Sequence, residues 1–277
     1  MSTENIVASA DYETELRRWR QERDDDLTAE DGWLTVVGLD WLNEGENRLG
    51  SAPGSDVTLP DSAPAQVGAL TLADGVVTLQ VATDAPVLVD GEAVRSATLH
   101  PDVADGGPTR VVIGAVNFFI IRRAGQFGVR VRDRANPARA SFEGRNWYPP
   151  DAQYRVTGRF TPHEPARTVE IVTSTGLLTP LQNLGRVEFA LHGQTWTLEA
   201  FEGGKNTLWF IFKDATSGQT TYGAGRFLYA PLADDGAVAL DFNKAYHPPC
   251  AFSPYATCPL PPRENVLPVA IEAGERY

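Results

Sequence analysis

A chain of 277 residues can form two modest domains or one large all-β domain, and 42% hydrophobic with 22% charged residues excludes wholesale disorder. A formal charge of −12 argues against a duplex nucleic-acid binder, which needs a basic footprint, and against docking on an anionic membrane. The N-terminus lacks the basic start and apolar core of a secretory signal, no apolar run approaches the ~20 residues that span a bilayer, and two cysteines suit a reducing compartment, so a cytoplasmic protein is expected.

The first predicted element is a helix. Tyr12, Leu16 and Trp19 recur at helical spacing and place three large apolar side chains on one stripe. Glu13 and Glu15 suit the positive end of the helix dipole, and Arg17, Arg18, Arg20 and Arg23 suit its second half. The block Asp24, Asp25, Asp26 is expected to end it.

Short β-runs follow, among them LTVVGLDWL, VVTLQVA, TRVVIGAVNFFIIRR and FGVRVRD, each bounded by Gly, Pro, Asp or Asn. Asp90-Gly91 reads as a tight hairpin, because this pair tolerates the positive φ such turns require, and Gly114 marks a turn or bulge in its long run. A second β series begins after two prolines in NWYPPDAQ (146–153), with His192-Gly193-Gln194 as the turn between two alternating strands. Strands this closely spaced, with no helices between them, argue for antiparallel sandwich or barrel packing. From Ala251 the chain becomes Pro-rich and polar, an extended strap closed by a short strand around VLPVAIE.

Two resemblances arise from these segments. GWLTVVGLDWL (32–42), FGVRVRD (127–133), WYP (147–149), KDATSG (213–218), TYGAGRFLY (221–229), DFNKAY (241–246), PPCAF (248–252), TCPLPP (257–262) and AGERY (273–277) resemble the bacterial family called domain of unknown function 1684. That resemblance carries no activity with it, and the family more usually has Asn where this chain has His247. NRLGSAPGSDVTLP and the VDG hairpin, within residues 45–135, are similar to forkhead-associated (FHA) phosphopeptide-binding sandwiches. Those domains use an Arg after the first Gly and a Ser with a nearby His; here Ser51 follows Gly50 and SAPAQVGAL has no His. The resemblance therefore implies an FHA-like sandwich with a lost or altered ligand site.

The chemistry-bearing residues crowd into 213–262. Asp241, His247, Cys250 and Cys258 are all able to bind zinc, but the spacing matches no standard module and no metal is expected. A Cys250–Cys258 disulfide, a nucleophilic cysteine with His247 or Lys244 as base, and a pair of buried thiols anchoring the strap are the other readings, the last being favoured. KDATSG lacks a phosphate loop's pattern and reads as a turn. Asp241 and Asn243 are alternate residues, and a hairpin through ADDG would bring Arg226 opposite them as a charge-assisted network.

The expected architecture is thus all-β: an N-terminal helix and linker (1–30), an FHA-like β-sandwich (31–145), and an antiparallel barrel or half-barrel with a Pro-rich C-terminal strap (146–277). The expected function is binding of a small polar or anionic molecule by Tyr222, Arg226, Asp241, Asn243, Lys244, Tyr246, Cys250 and Cys258, with no cofactor and no nucleic-acid or membrane partner. The alternatives are a hydrolase or transferase using Asp241 or Cys250, and an interaction scaffold using the FHA-like sheet surface.

Overall fold

The structure, a computed structural model, describes the backbone of residues 3–277 and the side chains from Asp11 onward. The helix α1 (Thr3–Thr28) runs through the acidic block that was expected to end it. Asp24 lies 3.4 Å from the distant Arg145 guanidinium and Asp25 accepts from Gln21 one turn earlier, so two of these carboxylates have partners and only the second is at helical spacing. The predicted stripe is the buried one. Leu16 is 1% exposed, and the Trp19 ring sits edge-on to Trp147 and Tyr246.

The described chain forms two units, one of residues up to Asp25 together with Glu143–Tyr277, the other Asp26–Phe142. In the second unit the strands are β1 (Val36–Trp41), β2 (Gly45–Gly50), β3 (Val57–Thr58), β4 (Gly68–Ala73), β5 (Val76–Val81), β6 (Leu88–Val89), β7 (Glu92–Ala93), β8 (Ser96–Leu99), β9 (Val111–Ile113), β10 (Val116–Arg123) and β11 (Gln126–Asp133). They make a sheet of order β1-β11-β10-β9-β6-β7 and another of order β3-β2-β4-β5-β8. Leu70, Leu79 and Leu99 from one sheet and Val111, Phe118, Ile120 and Val129 from the other share one buried core. Alternation along each strand supplies these inward side chains. Asp90 and Gly91, both at positive φ, form the β6–β7 turn, and Gly114 turns β9 into β10.

In the first unit β12 (Asn146–Trp147) is followed by β13 (Arg155–Val172), β14 (Leu178–Leu191), β15 (Gln194–Glu202), β16 (Thr207–Phe212), β17 (Arg226–Pro231), β18 (Ala237–Asp241) and β19 (Glu275–Arg276). The main sheet has the order β17-β16-β15-β14-β13-β18. Its two edge strands are consecutive in the chain and bridged at Leu232–Val238, so the sheet is a nearly closed barrel. Val187, Leu198, Phe210, Phe212, Leu228, Leu240 and Phe242 fill the interior. His192 and Gly193, both at positive φ, form the β14–β15 turn.

The strap departs from expectation. VLPVAIE forms no strand; only Val266 makes an isolated bridge, to Lys213, and the terminal strand is Glu275–Arg276 paired with Asn146–Trp147. Pro268 brings no N–H; Leu267 and Val269 on either side of it bond the Lys213 and Ala215 backbone, and further on Arg226 takes the Ile271 and Ala273 carbonyls and Asp214 the Ile271 N–H. Upstream, the fully buried Asn265 amide donates to the Glu199 and Ile211 carbonyls and accepts from the Glu199 N–H. Among the described residues no helix is long and apolar enough to cross a membrane.

Candidate functional site

The residues that are neighbours in sequence between 213 and 262 separate into three clusters in space, all within the barrel unit. The first surrounds Arg226, at the start of β17. Pairing with β16 sets Arg226 opposite Phe212 and turns its side chain into the interior, where it is fully buried. Its partner is Asp214, 3.3 Å away and equally buried, not Asp241 or Asn243. The ADDG hairpin does form, but β18 takes its ladder partner from β13, which carries Asp241 away from Arg226. The Thr216 hydroxyl donates to both Asp214 oxygens at 2.8 and 2.9 Å, so KDATSG is a turn folded around a buried carboxylate. Burial lowers the Arg226 pKa, with Asp214 opposing the shift. Arg226 presents no surface to a ligand; it clamps the strap.

The second cluster is a cavity of about 470 Å³ beside α1, lined by Tyr12, Glu15, Arg155, Tyr229, Asp241 and Lys244 among others. Asp241 ends β18 and caps the following turn. It accepts the Tyr12 hydroxyl on both oxygens, at 3.1 and 2.9 Å, and the Asn243 N–H and side-chain amide on one of them, at 3.2 and 3.1 Å. Burial and this carboxylate push the Tyr12 hydroxyl pKa well up, so it stays a proton donor. Arg155 at the start of β13 lies over the Tyr12 ring, 3.8 Å from its centre, with a nitrogen 3.9 Å from Asp241. Lys244 pairs with Glu15 at 3.0 Å. Asn243 is fully buried and also holds the Asp151 backbone, donating to its carbonyl and accepting from its N–H. Lys244 and Tyr229 line an adjoining cavity of about 430 Å³ together with Trp19, Arg23 and Tyr246. Replacing Tyr12 by Phe removes one half-buried hydrogen bond to a carboxylate and is expected to cost about 1 kcal/mol, read as a lower urea midpoint.

The third cluster runs from Glu275 to Cys250. Arg145 donates to Glu275 Oε2 at 2.8 Å; the same oxygen accepts the His247 N–H at 2.7 Å, and Oε1 lies 3.2 Å from His247 Nδ1. The other ring nitrogen, Nε2, accepts the Tyr222 N–H at 3.1 Å. This pattern assigns the ring proton to Nδ1 and leaves Nε2 with no lone pair to serve as a base. The Tyr222 hydroxyl donates to the Cys250 carbonyl at 2.9 Å. Cys250 and Cys258 carry thiols, not a disulfide. Asp241 belongs to the second cluster, so the four residues weighed as zinc ligands do not converge, and among the described residues no three His, Cys, Asp or Glu side chains gather as metal ligands would.

Residues 140–276 match the family described as Protein of unknown function (DUF1684). The chain belongs to this family. A solution NMR structure of an uncharacterized protein from Haloarcula marismortui is 36% identical to it, covers 51% of this chain and 80% of that one, and superposes with a TM-score of 0.44. No curated protein matches. The family region holds all three clusters apart from the contributions of α1.

Of the residues singled out by sequence, Asp241 and Lys244 line the larger cavity, with Asn243 behind Asp241, and Lys244 and Tyr246 line the adjoining one. Tyr222, Cys250 and Cys258 lie in the third cluster and Arg226 alone in the first. Sequence reasoning missed Tyr12, Glu15 and Arg155 as lining residues. Tyr12 reads as part of an apolar stripe, and nothing in the letters joins it to a carboxylate 229 positions away. Glu275 escapes sequence reasoning as well: AGERY carries no local signal of a buried carboxylate that meets Arg145 and His247.

Proposed function

We propose that the barrel unit binds a small polar or anionic molecule in the cavity between α1 and the β13–β18 edge. The observation that carries this reading is the pair of cations, Arg155 with 48% and Lys244 with 25% of the side chain exposed, lining one cavity beside the Tyr12 and Tyr229 rings. Its volume falls within the roughly 300–1,000 Å³ usual for ligand sites, and a few convergent polar groups on a rigid apolar wall are the usual composition of one. Asp241 supports the reading as a positioning group: its oxygens hold Tyr12 and Asn243, which fixes the helix against the strand end. That commitment weighs against Asp241 as the nucleophile of a hydrolase or transferase, which needs a free oxygen facing the reacting carbon or phosphorus.

The test is calorimetric titration of inorganic phosphate, citrate and benzoate into the wild-type chain and the Arg155→Ala/Lys244→Ala double variant. A bound anion should lose at least about 100-fold in affinity in the double variant, since charge-assisted hydrogen bonds contribute about 1.5–3 kcal/mol each and two cations are removed. The exposed Arg186→Ala on β14 should leave affinity unchanged. Equal affinity in the double variant overturns the assignment.

For the other unit, two facing sheets around one core support an FHA-like reading with an altered ligand site. The Ser51 hydroxyl donates to the Ala63 carbonyl at 2.9 Å, and Arg48 is engaged with Asp56 at 2.9 Å, so neither is directed at a phosphate. A cytoplasmic home accords with the thiol state of both cysteines.

A further inference from the structure

The third cluster contains the two cysteines of the chain, and the fold brings them together although the intervening segment is rich in proline and has no strand. Cys250 sits in a short 3-10 turn, Pro249–Ala251, that Tyr222 grips through the Cys250 carbonyl. Cys258 is held on the opposite side by Ser174: its N–H donates to the Ser174 hydroxyl at 3.2 Å and its carbonyl accepts the Ser174 N–H at 2.7 Å. The bridge between Thr173 and Pro259 continues that anchorage. Between these two fixed points the side chains of Cys258, Tyr222 and Ser174 lie against the Cys250 thiol. The Tyr222 and Ser174 hydroxyl protons go to the Cys250 and Ala256 carbonyls, which leaves the Cys258 thiol as the donor facing the Cys250 sulfur, a contact that favours thiolate over thiol.

The two sulfurs are not equivalent. Cys258 is 6% exposed, whereas Cys250 is only partly buried. A reagent arriving from solvent meets Cys250 first, and Cys258 waits behind it within hydrogen-bonding reach. The Cys258 hydrogen bond, the largest influence, lowers the Cys250 pKa; burial opposes it, Tyr222 and Ser174 add to it, and the outcome is about 7.

We propose that Cys250 and Cys258 are a reversible redox pair in which a hydroperoxide oxidises Cys250 and Cys258 resolves the product into an intramolecular disulfide. In the first step the Cys250 thiolate attacks the terminal oxygen of the hydroperoxide. The S–O bond forms, the O–O bond breaks, and the alkoxide leaves and takes a proton to become an alcohol, with sulfur oxidised and peroxide reduced by two electrons. In the second step the Cys258 sulfur attacks the Cys250 sulfenic acid. The S–S bond forms, the S–O bond breaks, and the hydroxide departs with the Cys258 proton as water. A dithiol reductant restores both thiols by exchange and is itself left as a disulfide. Ordinary buried cysteines, by contrast, are inert to such reagents.

The chain from Glu275 through His247 to the Tyr222 N–H places the Tyr222 side chain, so it is a positioning device for this pair and not a base.

The test uses the full chain, fully reduced, exposed to hydrogen peroxide, then denatured and alkylated with N-ethylmaleimide, with intact and peptide mass spectrometry as readout. The expected result is concerted loss of both alkylation sites in the monomer, a peptide-mapped Cys250–Cys258 link, and recovery of both sites after dithiothreitol. In Cys258→Ser, dimedone should label Cys250. In Tyr222→Phe, which releases the Cys250 carbonyl and the turn that places its thiol, oxidation at neutral pH should slow about threefold. Retention of both alkylation sites in the wild type, oxidation of Cys250 to sulfinic acid with Cys258 still alkylatable, or a link between two chains would each overturn the proposal. If a variant does not fold, alkylation rates of the native wild type decide the assignment of roles: Cys250 must react first.

Discussion

Replacing Asp214 by Ala is expected to lower the unfolding free energy of the barrel unit by about 3–5 kcal/mol, the range for removing one partner of a buried ion pair. Both side chains are fully buried, and Asp214 also receives the Thr216 hydroxyl and the Ile271 N–H. Its removal leaves the Arg226 guanidinium as an uncompensated interior charge whose other partners are the Ile271 and Ala273 carbonyls. Those carbonyls belong to the strap, so the loss should appear first as proteolytic sensitivity around residues 262–277. The Asp214→Leu/Arg226→Leu pair removes both charges and should recover part of the loss, though not all, since two strap carbonyls then lack a donor. Urea melts of the three proteins decide the matter. A loss in Asp214→Ala below about 1 kcal/mol would mean that the pair is solvated and that the clamp is not what holds the strap.

Glu275→Ala should cost a similar amount, about 3–5 kcal/mol, by a different route. The carboxylate is 3% exposed on its side chain and accepts from Arg145 and from the His247 N–H while facing His247 Nδ1. Without it Arg145 keeps Asp24 as its acidic partner among the described residues, and the imidazole loses what fixes its tautomer. Glu275→Gln preserves shape and one oxygen but turns a donor toward existing donors, so it should fall between wild type and Ala. The second readout is the His247 ring in NMR: its Nδ1–H resonance, protected from exchange in the wild type, should vanish in Glu275→Ala. A persistent, protected resonance would contradict the assigned geometry.

The fold was largely legible in the letters because its cues are local. Strand alternation, the Asp90-Gly91 and His192-Gly193 turns and the Tyr12–Leu16–Trp19 stripe each depend on residues a few positions apart, and each forms as read. The site was legible only as a crowd of polar and aromatic residues. Asp241 and Asn243 are indeed joined, by a capping turn within three residues. Arg226 was attached to the wrong carboxylate, since ladder pairing, not proximity along the chain, decides what a strand residue faces: β18 pairs with β13, and Arg226 turns inward to Asp214. The strap was misread for a related reason. Part of its anchorage is side chain to backbone, Arg226 and Asp214 on the Ile271 backbone and its own Asn265 on Glu199 and Ile211, which no β-propensity reports.

The pairing of Asp24 with Arg145, 3.4 Å apart, has a bearing on how the gene is organised. The chain leaves the barrel unit next to Asp25 and re-enters it at Glu143, so the exit and the return are neighbours in space. Residues 26–142 therefore constitute a cassette inserted at one point of a host domain, and the host consists of an N-terminal helix and a C-terminal barrel that are distant in the coding sequence but contiguous in the fold. Excising the cassette and joining Asp25 to Glu143 through a short glycine-rich linker should yield a soluble miniature that retains the Tyr12–Asp241 contact.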